Sequence, residues 1–169
     1  MGLTTSAREV SLVGDEATRE LGRRIGRALG AGGCVLALSG HLGAGKTTFV
    51  KGLAEGMGVA AAQDVTSPTF LRAVRFEGPV PLVHVDAWRM KGAADLVELG
   101  LDEDMAGGAC VAIEWPENVA AGLPRDHLTV ELRHVDTSRR VAVVFANGPE
   151  AASLLARTDF RGVGDGNPS

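Results

Sequence analysis

The stretch Gly40-His41-Leu42-Gly43-Ala44-Gly45-Lys46-Thr47 decides the fold of this chain. It follows residues 34–38, a continuously apolar run that is typical of a strand buried on both faces. After it, the apolar residues of 49–57 recur at helical spacing. Strand, glycine loop and helix in this order, with GxxxxGK[ST] matched at every specified position, indicate a loop that holds phosphate groups.

The residue types of this loop explain how it would hold a nucleotide. Glycines let the backbone curl so that several N–H groups point at one anion, and the positive end of the following helix adds to the attraction. Lys46 would bridge the terminal phosphates, and the hydroxyl of Thr47 would hold Mg²⁺. The chain is therefore predicted to bind a nucleoside triphosphate.

Length and charge limit the remaining possibilities. With 169 residues the chain has the size of one domain, and we predict a single phosphate-loop domain over residues 1–157. Residues 158–169 are rich in Gly and Asp, which predicts a disordered tail. The net charge of −4 argues against direct, non-specific binding of RNA or DNA. A local basic patch stays open, since five arginines could converge: Arg72, Arg75, Arg89, Arg139 and Arg140.

Membrane, disulfide and zinc signals are weak in this sequence. Its apolar runs are too short to span a bilayer, and residues 1–6 lack the features of a secretory signal. We therefore expect a cytoplasmic protein without membrane contact. Cys34 and Cys110 lie in apolar runs and are expected to be reduced thiols. The four histidines have no spacing to cysteines or carboxylates that suggests zinc.

Periodicity and turn signals predict an α/β arrangement with some antiparallel pairing. Strands are predicted at 9–13, 34–38, 70–77, 80–85, 109–115, 128–133 and 140–145. One helix is predicted from Asp15, a candidate N-cap, to near Gly30. Further helices are predicted after the glycine loop, over 90–99 and over 150–157. Strands 70–77 and 80–85 are close enough in sequence to form a hairpin, and so are 128–133 and 140–145.

Two carboxylates end apolar strands and are the candidates for catalysis. Asp86 follows the run 82–85, and Glu114 follows the run 110–113. In open α/β sheets the ligand lies beyond the carboxyl ends of the strands, where both side chains would be. We assign Asp86 to the water shell of Mg²⁺ and Glu114 to the attacking water, with the reverse assignment open. The simpler alternative is a pair of solvated carboxylates.

Other candidate residues are less specific. The segment Thr66-Ser67-Pro68-Thr69-Phe70 lies where other phosphate-loop proteins keep a γ-phosphate sensor, although a Ser-Pro turn explains it equally well. Trp88 and Trp115 follow the two carboxylates and could stack on a base or form an interface, while core filling is the commoner role of Trp. Arg89 could supply charge to a transition state, but a solvated arginine is more common.

Five segments taken together resemble the TsaE (YjeE) family, the ATPase component of bacterial tRNA threonylcarbamoyladenosine synthesis. They are GHLGAGKTT at 40–48, VTSPTF at 65–70, HVDAWR at 84–89, DLVELGLDE at 95–103 and IEWPEN at 113–118. A phosphate loop is common to many families, and the other segments make the resemblance specific. One departure is Trp88, where the family commonly has Tyr, so any role of a hydroxyl at that position is in doubt.

The resemblance implies a fold, an activity and a set of site residues. The fold would be a three-layer α/β phosphate-loop NTPase domain with a mixed, mainly parallel central sheet. The family hydrolyses ATP with Mg²⁺ and works with TsaD and TsaB, which transfer the threonylcarbamoyl group to an adenosine of tRNA. Catalysis would involve Glu114, Asp86 and Lys46, and Mg²⁺ would be held by Thr47, Asp86 and Glu114. ATP or ADP would be bound by Gly40, Leu42, Gly43, Ala44, Gly45, Lys46, Thr47, Thr48 and Trp115.

Two rival classes remain to be tested. A small-molecule kinase would need an acceptor pocket and usually an Arg-bearing lid, and no compact Arg-rich insertion is visible in the sequence. A guanine-nucleotide switch would use DxxG, which Asp104-Met105-Ala106-Gly107 matches formally. However, no apolar strand leads into that segment, and the chain contains no NKxD motif.

Overall fold

The computed structural model describes residues 6–164, and within them seven strands form one sheet in the order β1-β7-β6-β2-β5-β4-β3. The strands are β1 (Ala7–Val13), β2 (Val35–Ser39), β3 (Ala73–Phe76), β4 (Leu82–Asp86), β5 (Cys110–Glu114), β6 (His127–His134) and β7 (Arg139–Asn147). β2, which leads into the glycine loop, lies at the centre of the sheet between β5 and β6.

The sheet is mixed and mainly parallel, as predicted. β2 pairs in parallel with β5 and β6, and β4 pairs in parallel with β5. The antiparallel pairs are β3 with β4, β6 with β7 and β1 with β7. Because β1 is antiparallel to a strand that is itself reversed, five strands run in one direction and only β3 and β7 run against them. Both predicted hairpins are confirmed.

Five α-helices and two 3₁₀ segments connect the strands in the described part of the chain. They are α1 (Gly14–Ala28), α2 (Lys46–Gly56), α3 (Ala93–Glu98), α4 (Leu101–Ala106) and α5 (Pro149–Arg157), with 3₁₀ turns at Ala62–Asp64 and Pro116–Gly122. Within residues 6–164, no helix combines the length and apolar character needed to cross a bilayer.

Side-chain alternation along the strands sends the helices to two faces of the sheet. The larger core lies on one face, where α1, α2 and α5 pack against residues such as Leu36, Leu82 and Ala112. The smaller core lies on the other face, where α3 and α4 pack against residues such as Val83 and Val111. Layers of helix, sheet and helix therefore enclose the central strands, in agreement with the three-layer prediction.

Four glycines let α1 and α2 approach each other closely. A Cβ atom on Gly22 would lie 2.2 Å from the carbonyl oxygen of Phe49, and one on Gly52 would lie 1.9 Å from that of Arg19. Gly26 and Gly56 make equivalent approaches one turn further along. A real Cβ cannot occupy such a position, so glycine at these sites sets the spacing of the two helices. This contact fixes the helix whose first turn carries Lys46.

Several segments differ from the sequence-based prediction. β3 begins at Ala73 rather than at residue 70, because Phe70 and Leu71 are exposed in a turn and Arg72 has a left-handed φ of 65°. α1 begins at Gly14 with Val13 as its N-cap residue, so Asp15 lies in its first turn and does not cap it. α4 and the 3₁₀ turn after β5 were not predicted.

The predicted tail is described in part. Within residues 158–164, Thr158 donates its hydroxyl hydrogen to the carbonyl oxygen of Leu154 at 2.9 Å, and Val163 is 2% exposed in the larger core. Thr158 and Val163 therefore pack on the domain, while the disordered tail as a whole stays a prediction. Residues 165–169 lie outside the described residues.

Candidate nucleotide-binding site

The glycine loop lies between β2 and α2 at the carboxyl end of the sheet. Gly45 is the N-cap residue of α2 with φ 106°, a conformation that L side chains rarely adopt, and no side chain of residues 6–164 caps this helix end. A Cβ atom on Gly40 would lie 2.7 Å from the carbonyl oxygen of Leu132, so the loop also packs closely against β6. The first amides of α2 therefore remain uncapped at a point where helices bind anions.

Lys46 is the cation of this loop and is only 6% exposed. Its ammonium group donates to the carbonyl oxygens of Gly40 and His41, and lies 3.9 Å from the centroid of the Trp115 ring. Burial lowers the pKa of Lys46, while the charges of Glu114, Glu117 and Asp86 oppose that shift. A buried cation at the start of a helix, held by its own loop, is well placed to attract an anion.

Asp86 and Glu114 lie side by side, because they are register partners at the ends of β4 and β5. Both are buried, at 5% and 3% exposure, so they are not the solvated carboxylates of the simpler interpretation. The Thr47 hydroxyl donates to Glu114 Oε1 at 3.0 Å, which joins the loop to the carboxylate across 67 residues of sequence. The structure thus brings together the three residues predicted to hold Mg²⁺.

Asp86 has three hydrogen-bond donors around it. Its Oδ2 accepts from the hydroxyls of Ser67, at 3.2 Å, and Thr69, at 2.8 Å. Its Oδ1 accepts from the backbone N–H of Trp88 at 2.9 Å. The segment after Thr66 is therefore connected to the site through Asp86, rather than being a turn that only redirects the chain.

The two tryptophans pack against each other beside Lys46. The centroids of Trp88 and Trp115 are 4.4 Å apart with a tilt of 56° between the rings. Trp115 has a left-handed φ of 58°, which is unusual for a large side chain and is found most often at functional sites. Trp88 is 50% exposed, so core filling does not account for it.

Arg140, which the sequence suggested only as part of a possible basic patch, lies in this site. Its Nη1 lies 2.8 Å from Asp15 Oδ1, and its buried Nε has no hydrogen-bond partner within residues 6–164. A Cβ atom on Gly45 would lie 3.7 Å from that Nε, which places the guanidinium against the glycine loop. Only the order β7-β6-β2 brings Arg140 here, and the sequence contains no local signal for it.

These side chains line one cleft of about 490 Å³. Its walls are Asp15, Leu42, Gly43, Gly45, Lys46, Thr47, Thr48, Ser67, Thr69, Asp86, Trp88, Glu114, Trp115 and Arg140. Gly40 lies behind the cleft as an acceptor for Lys46, and the Ala44 side chain is buried in the larger core. Every other residue predicted to bind nucleotide or metal is part of the wall.

Arg89 and the possible basic patch add no further residues to this cleft. Arg89 is exposed, 6.0 Å from the centroid of the Phe70 ring, and is not part of the cleft wall. The basic patch does not form, since β3 and β7 are separated by four strands and their arginines pair with acids. In the described part of the chain, no three His, Cys, Asp or Glu side chains cluster as a metal site.

Comparisons with known proteins agree on one family. The model of the family "Threonylcarbamoyl adenosine biosynthesis protein TsaE" matches residues 12–142. The tRNA threonylcarbamoyladenosine biosynthesis protein TsaE of Streptomyces coelicolor is 45% identical over 137 residues, which are 77% of this chain and 89% of that protein. The TsaE of Treponema pallidum is 39% identical over 75% of this chain and 92% of its own length. The crystal structure of Bacillus subtilis YdiB superposes with a TM-score of 0.73 at 29% identity, covering 92% of this chain and 95% of that one.

Proposed function

The chain belongs to the TsaE family, and we propose that it binds and hydrolyses ATP with Mg²⁺ to support TsaD and TsaB in threonylcarbamoyl transfer to tRNA adenosine. One observation carries the proposal. The lysine and hydroxyl that begin α2 lie in the same cleft as two buried carboxylates from neighbouring strands. This is the set of groups that phosphoryl transfer to water requires.

The residues of the cleft fit a magnesium–nucleotide complex. The amides of the first turn of α2 and the ammonium of Lys46 would hold the polyphosphate. The Nε of Arg140, which has no partner among the described residues, is a further donor at the same wall. Thr47, Asp86 and Glu114 supply oxygen atoms, the donors that Mg²⁺ prefers. When bound, Mg²⁺ would neutralise negative charge on the phosphate oxygens during cleavage.

Asp86 and Glu114 are proposed to have different catalytic roles. Asp86, fixed by three donors, would hold the water shell of Mg²⁺. Glu114, whose Oε1 already accepts from Thr47, would orient the attacking water. Trp115 would cover the terminal phosphates, because its ring lies over the ammonium that would bind them.

Partner contact is proposed for the surface next to Asp86. Phe70 is 90% exposed and Leu71 72% exposed, and both directly follow Thr69, which donates to Asp86. Trp88 is exposed on the other side of the same carboxylate. Exposed apolar side chains of this size mark interaction surfaces, so a change at Asp86 could be felt by a bound partner.

The test is ATP turnover with and without the purified TsaD–TsaB pair. We expect slow hydrolysis alone and a clear increase with the pair, and the same increase should be lost in Phe70→Ser. Failure to bind or respond to the pair would refute the proposed partners. Phosphate transfer to a metabolite instead of water would favour the kinase alternative.

The guanine-nucleotide alternative finds no support in the position of its motif. Asp104 lies in α4, and its carboxylate pairs with Arg75 at 2.7 Å. Neither residue is part of the wall of the cleft. A preference for GTP over ATP in a binding titration would revive this alternative.

A further inference from the structure

His84 is a buried polar side chain to which the proposed function assigns no role. It lies in β4, two residues before Asp86, and is 0% exposed. Its Nε2 is 3.0 Å from Glu114 Oε1, and its Nδ1 has no hydrogen-bond partner within residues 6–164. Burying an imidazole has a cost in free energy unless its polar atoms are paired. The hydrogen bond to Glu114 offsets part of this cost.

The direction of this hydrogen bond follows from the chemistry of the two groups. An ionised carboxylate has only acceptor atoms, so the hydrogen must be on Nε2 of the ring. Within the described residues, both hydrogen bonds to Glu114, from His84 and from Thr47, end on the same oxygen, Oε1. That arrangement leaves Oε2 without a protein donor, available to a ligand of the cleft.

The two donors differ in rigidity. The Thr47 hydroxyl is at the end of a rotatable bond, in the first turn of the loop helix. The His84 ring is enclosed in the sheet, between register partners Val74 on β3 and Ala112 on β5. The histidine can therefore hold Glu114 in one orientation even when the threonine hydroxyl turns to another partner.

We propose that His84 is a positioning residue: its Nε2–H donates to Glu114 and holds the carboxylate so that Oε2 faces a ligand in the cleft. This inference rests on the proposed ATP hydrolysis and adds a residue to it. In many metal sites a carboxylate accepts a hydrogen bond from a metal-bound histidine and so orients its ring. Here the roles would be exchanged, with the histidine orienting the carboxylate. Loss of such a partner typically lowers activity about 10- to 100-fold.

The test compares His84→Leu with His84→Gln. Gln can place an amide N–H close to the position of Nε2, whereas Leu has a similar volume and no donor. We expect kcat for ATP to fall about 10- to 100-fold in His84→Leu and to recover most of that loss in His84→Gln. Affinity for ADP without metal should stay within about twofold, since neither variant touches the loop. Equal rates in parent and His84→Leu, or equal loss in both folded variants, would overturn the positioning role.

His127→Leu is the matched control. His127 is half-buried at the start of β6 and is paired through Nδ1 to the carbonyl oxygen of Pro124 at 2.7 Å, away from the cleft. Its loss should change stability without lowering kcat. A fall in kcat equal to that of His84→Leu would show that the effect is a general consequence of losing a hydrogen-bonded histidine.

A second readout does not depend on hydrolysis. Nitrogen-15 NMR of the imidazole should place the proton of His84 on Nε2, and that signal should move in Glu114→Ala but not in His127→Leu. A proton on Nδ1, or a signal indifferent to Glu114→Ala, refutes the inference even where activity cannot be measured. Failure of the parent to hydrolyse ATP, with the expected signal present, instead refutes the proposed function.

Discussion

Asp86 and Glu114 are adjacent carboxylates with different hydrogen-bond donors around them. Both are buried register partners, yet Asp86 is surrounded by two hydroxyls and an amide, while Glu114 shares one oxygen between a hydroxyl and an imidazole. The donors around a buried carboxylate occupy its oxygen atoms and stabilise its charged form, and they determine which oxygen is left to contact a ligand. The donor pattern supports distinct roles for two residues that the sequence presents alike.

Removing Asp86 is expected to affect turnover more than binding. In Asp86→Ala the proposed polyphosphate contacts of Lys46 and α2 would remain, so ADP affinity should change by no more than about threefold. Magnesium-dependent hydrolysis should fall at least about 100-fold, because charge on the phosphates would be poorly neutralised. Steady-state kinetics and calorimetric titration measure the two effects. If both Asp86→Ala and Glu114→Ala hydrolyse ATP at the parent rate, the catalytic assignment is wrong.

Cys34, which the sequence predicts to be a reduced thiol in an apolar run, is expected to react slowly. Both cysteines are free in the structure, and burial raises the pKa of Cys34 to about 11. Only the thiolate is alkylated, so at pH 8 the native chain should react with iodoacetamide on the order of 100-fold more slowly than an exposed cysteine. The rate should rise as the pH approaches that pKa. Intact-mass spectrometry follows the reaction, with the guanidinium-unfolded chain as the fast control. Rapid labelling of the folded chain would contradict the burial of this thiol.

At the scale of elements, the contact between α1 and α2 determines where the loop helix lies. Gly52→Ala would push a Cβ against the backbone of Arg19, at a point where no side chain can move aside. Alanine improves helix propensity by up to ~1 kcal/mol, but overpacking typically costs about 1–3 kcal/mol, so we expect net destabilisation. Urea denaturation gives the free energy of unfolding. Gly32→Ala is the control, since its Cβ would meet nothing within 4 Å. Equal stability of the two variants would refute close helix contact.

Elements with strong local signals were predictable, and those defined by distant contacts were not. The buried runs that became β2, β4 and β5 are mostly apolar before their polar last residues, with His84 of β4 as the exception, so their pattern sufficed. The segment from Phe70 looked like a strand because its residues suit strands, but the N–H of Arg72 donates to the carbonyl oxygen of Pro68 and residues 70–72 form a turn. α4 is six residues long and half of them are acidic, so it is too short for a helical period to show.

The same distinction holds for the site. The loop and the strand-end carboxylates follow from motif and chain order, whereas three contacts require the folded molecule. These are Thr47 with Glu114, His84 with Glu114, and Arg140 beside Gly45. The first two join residues 67 and 30 positions apart, and the third depends on β6 lying between β7 and β2. A sequence pattern shows which residues are close along the chain, whereas the residues of these three contacts are close only in the folded sheet.

At the scale of the whole molecule, the cleft is built from elements that lie far apart in the sequence. Its walls come from α1, the glycine loop, the ends of β4 and β5, and the start of β7. A ligand held by all of these would tie the two halves of the sheet together across β2. Ligand binding to the folded state alone stabilises it by mass action. Nucleotide should therefore change global stability as well as local order.

Thermal unfolding with nucleotide tests this link and separates the rival classes. At 100 times its Kd, magnesium–ADP should add about 2.7 kcal/mol to the free energy of unfolding, which for a chain of this size is a rise in Tm of roughly 5–10 °C. Lys46→Ala should lose that rise while unfolding at a similar Tm without nucleotide, because burial already disfavours its charge. GDP at the same concentration should have a smaller effect. A parent Tm that is indifferent to adenine nucleotides, or a larger response to GDP, would contradict the proposed ATP site.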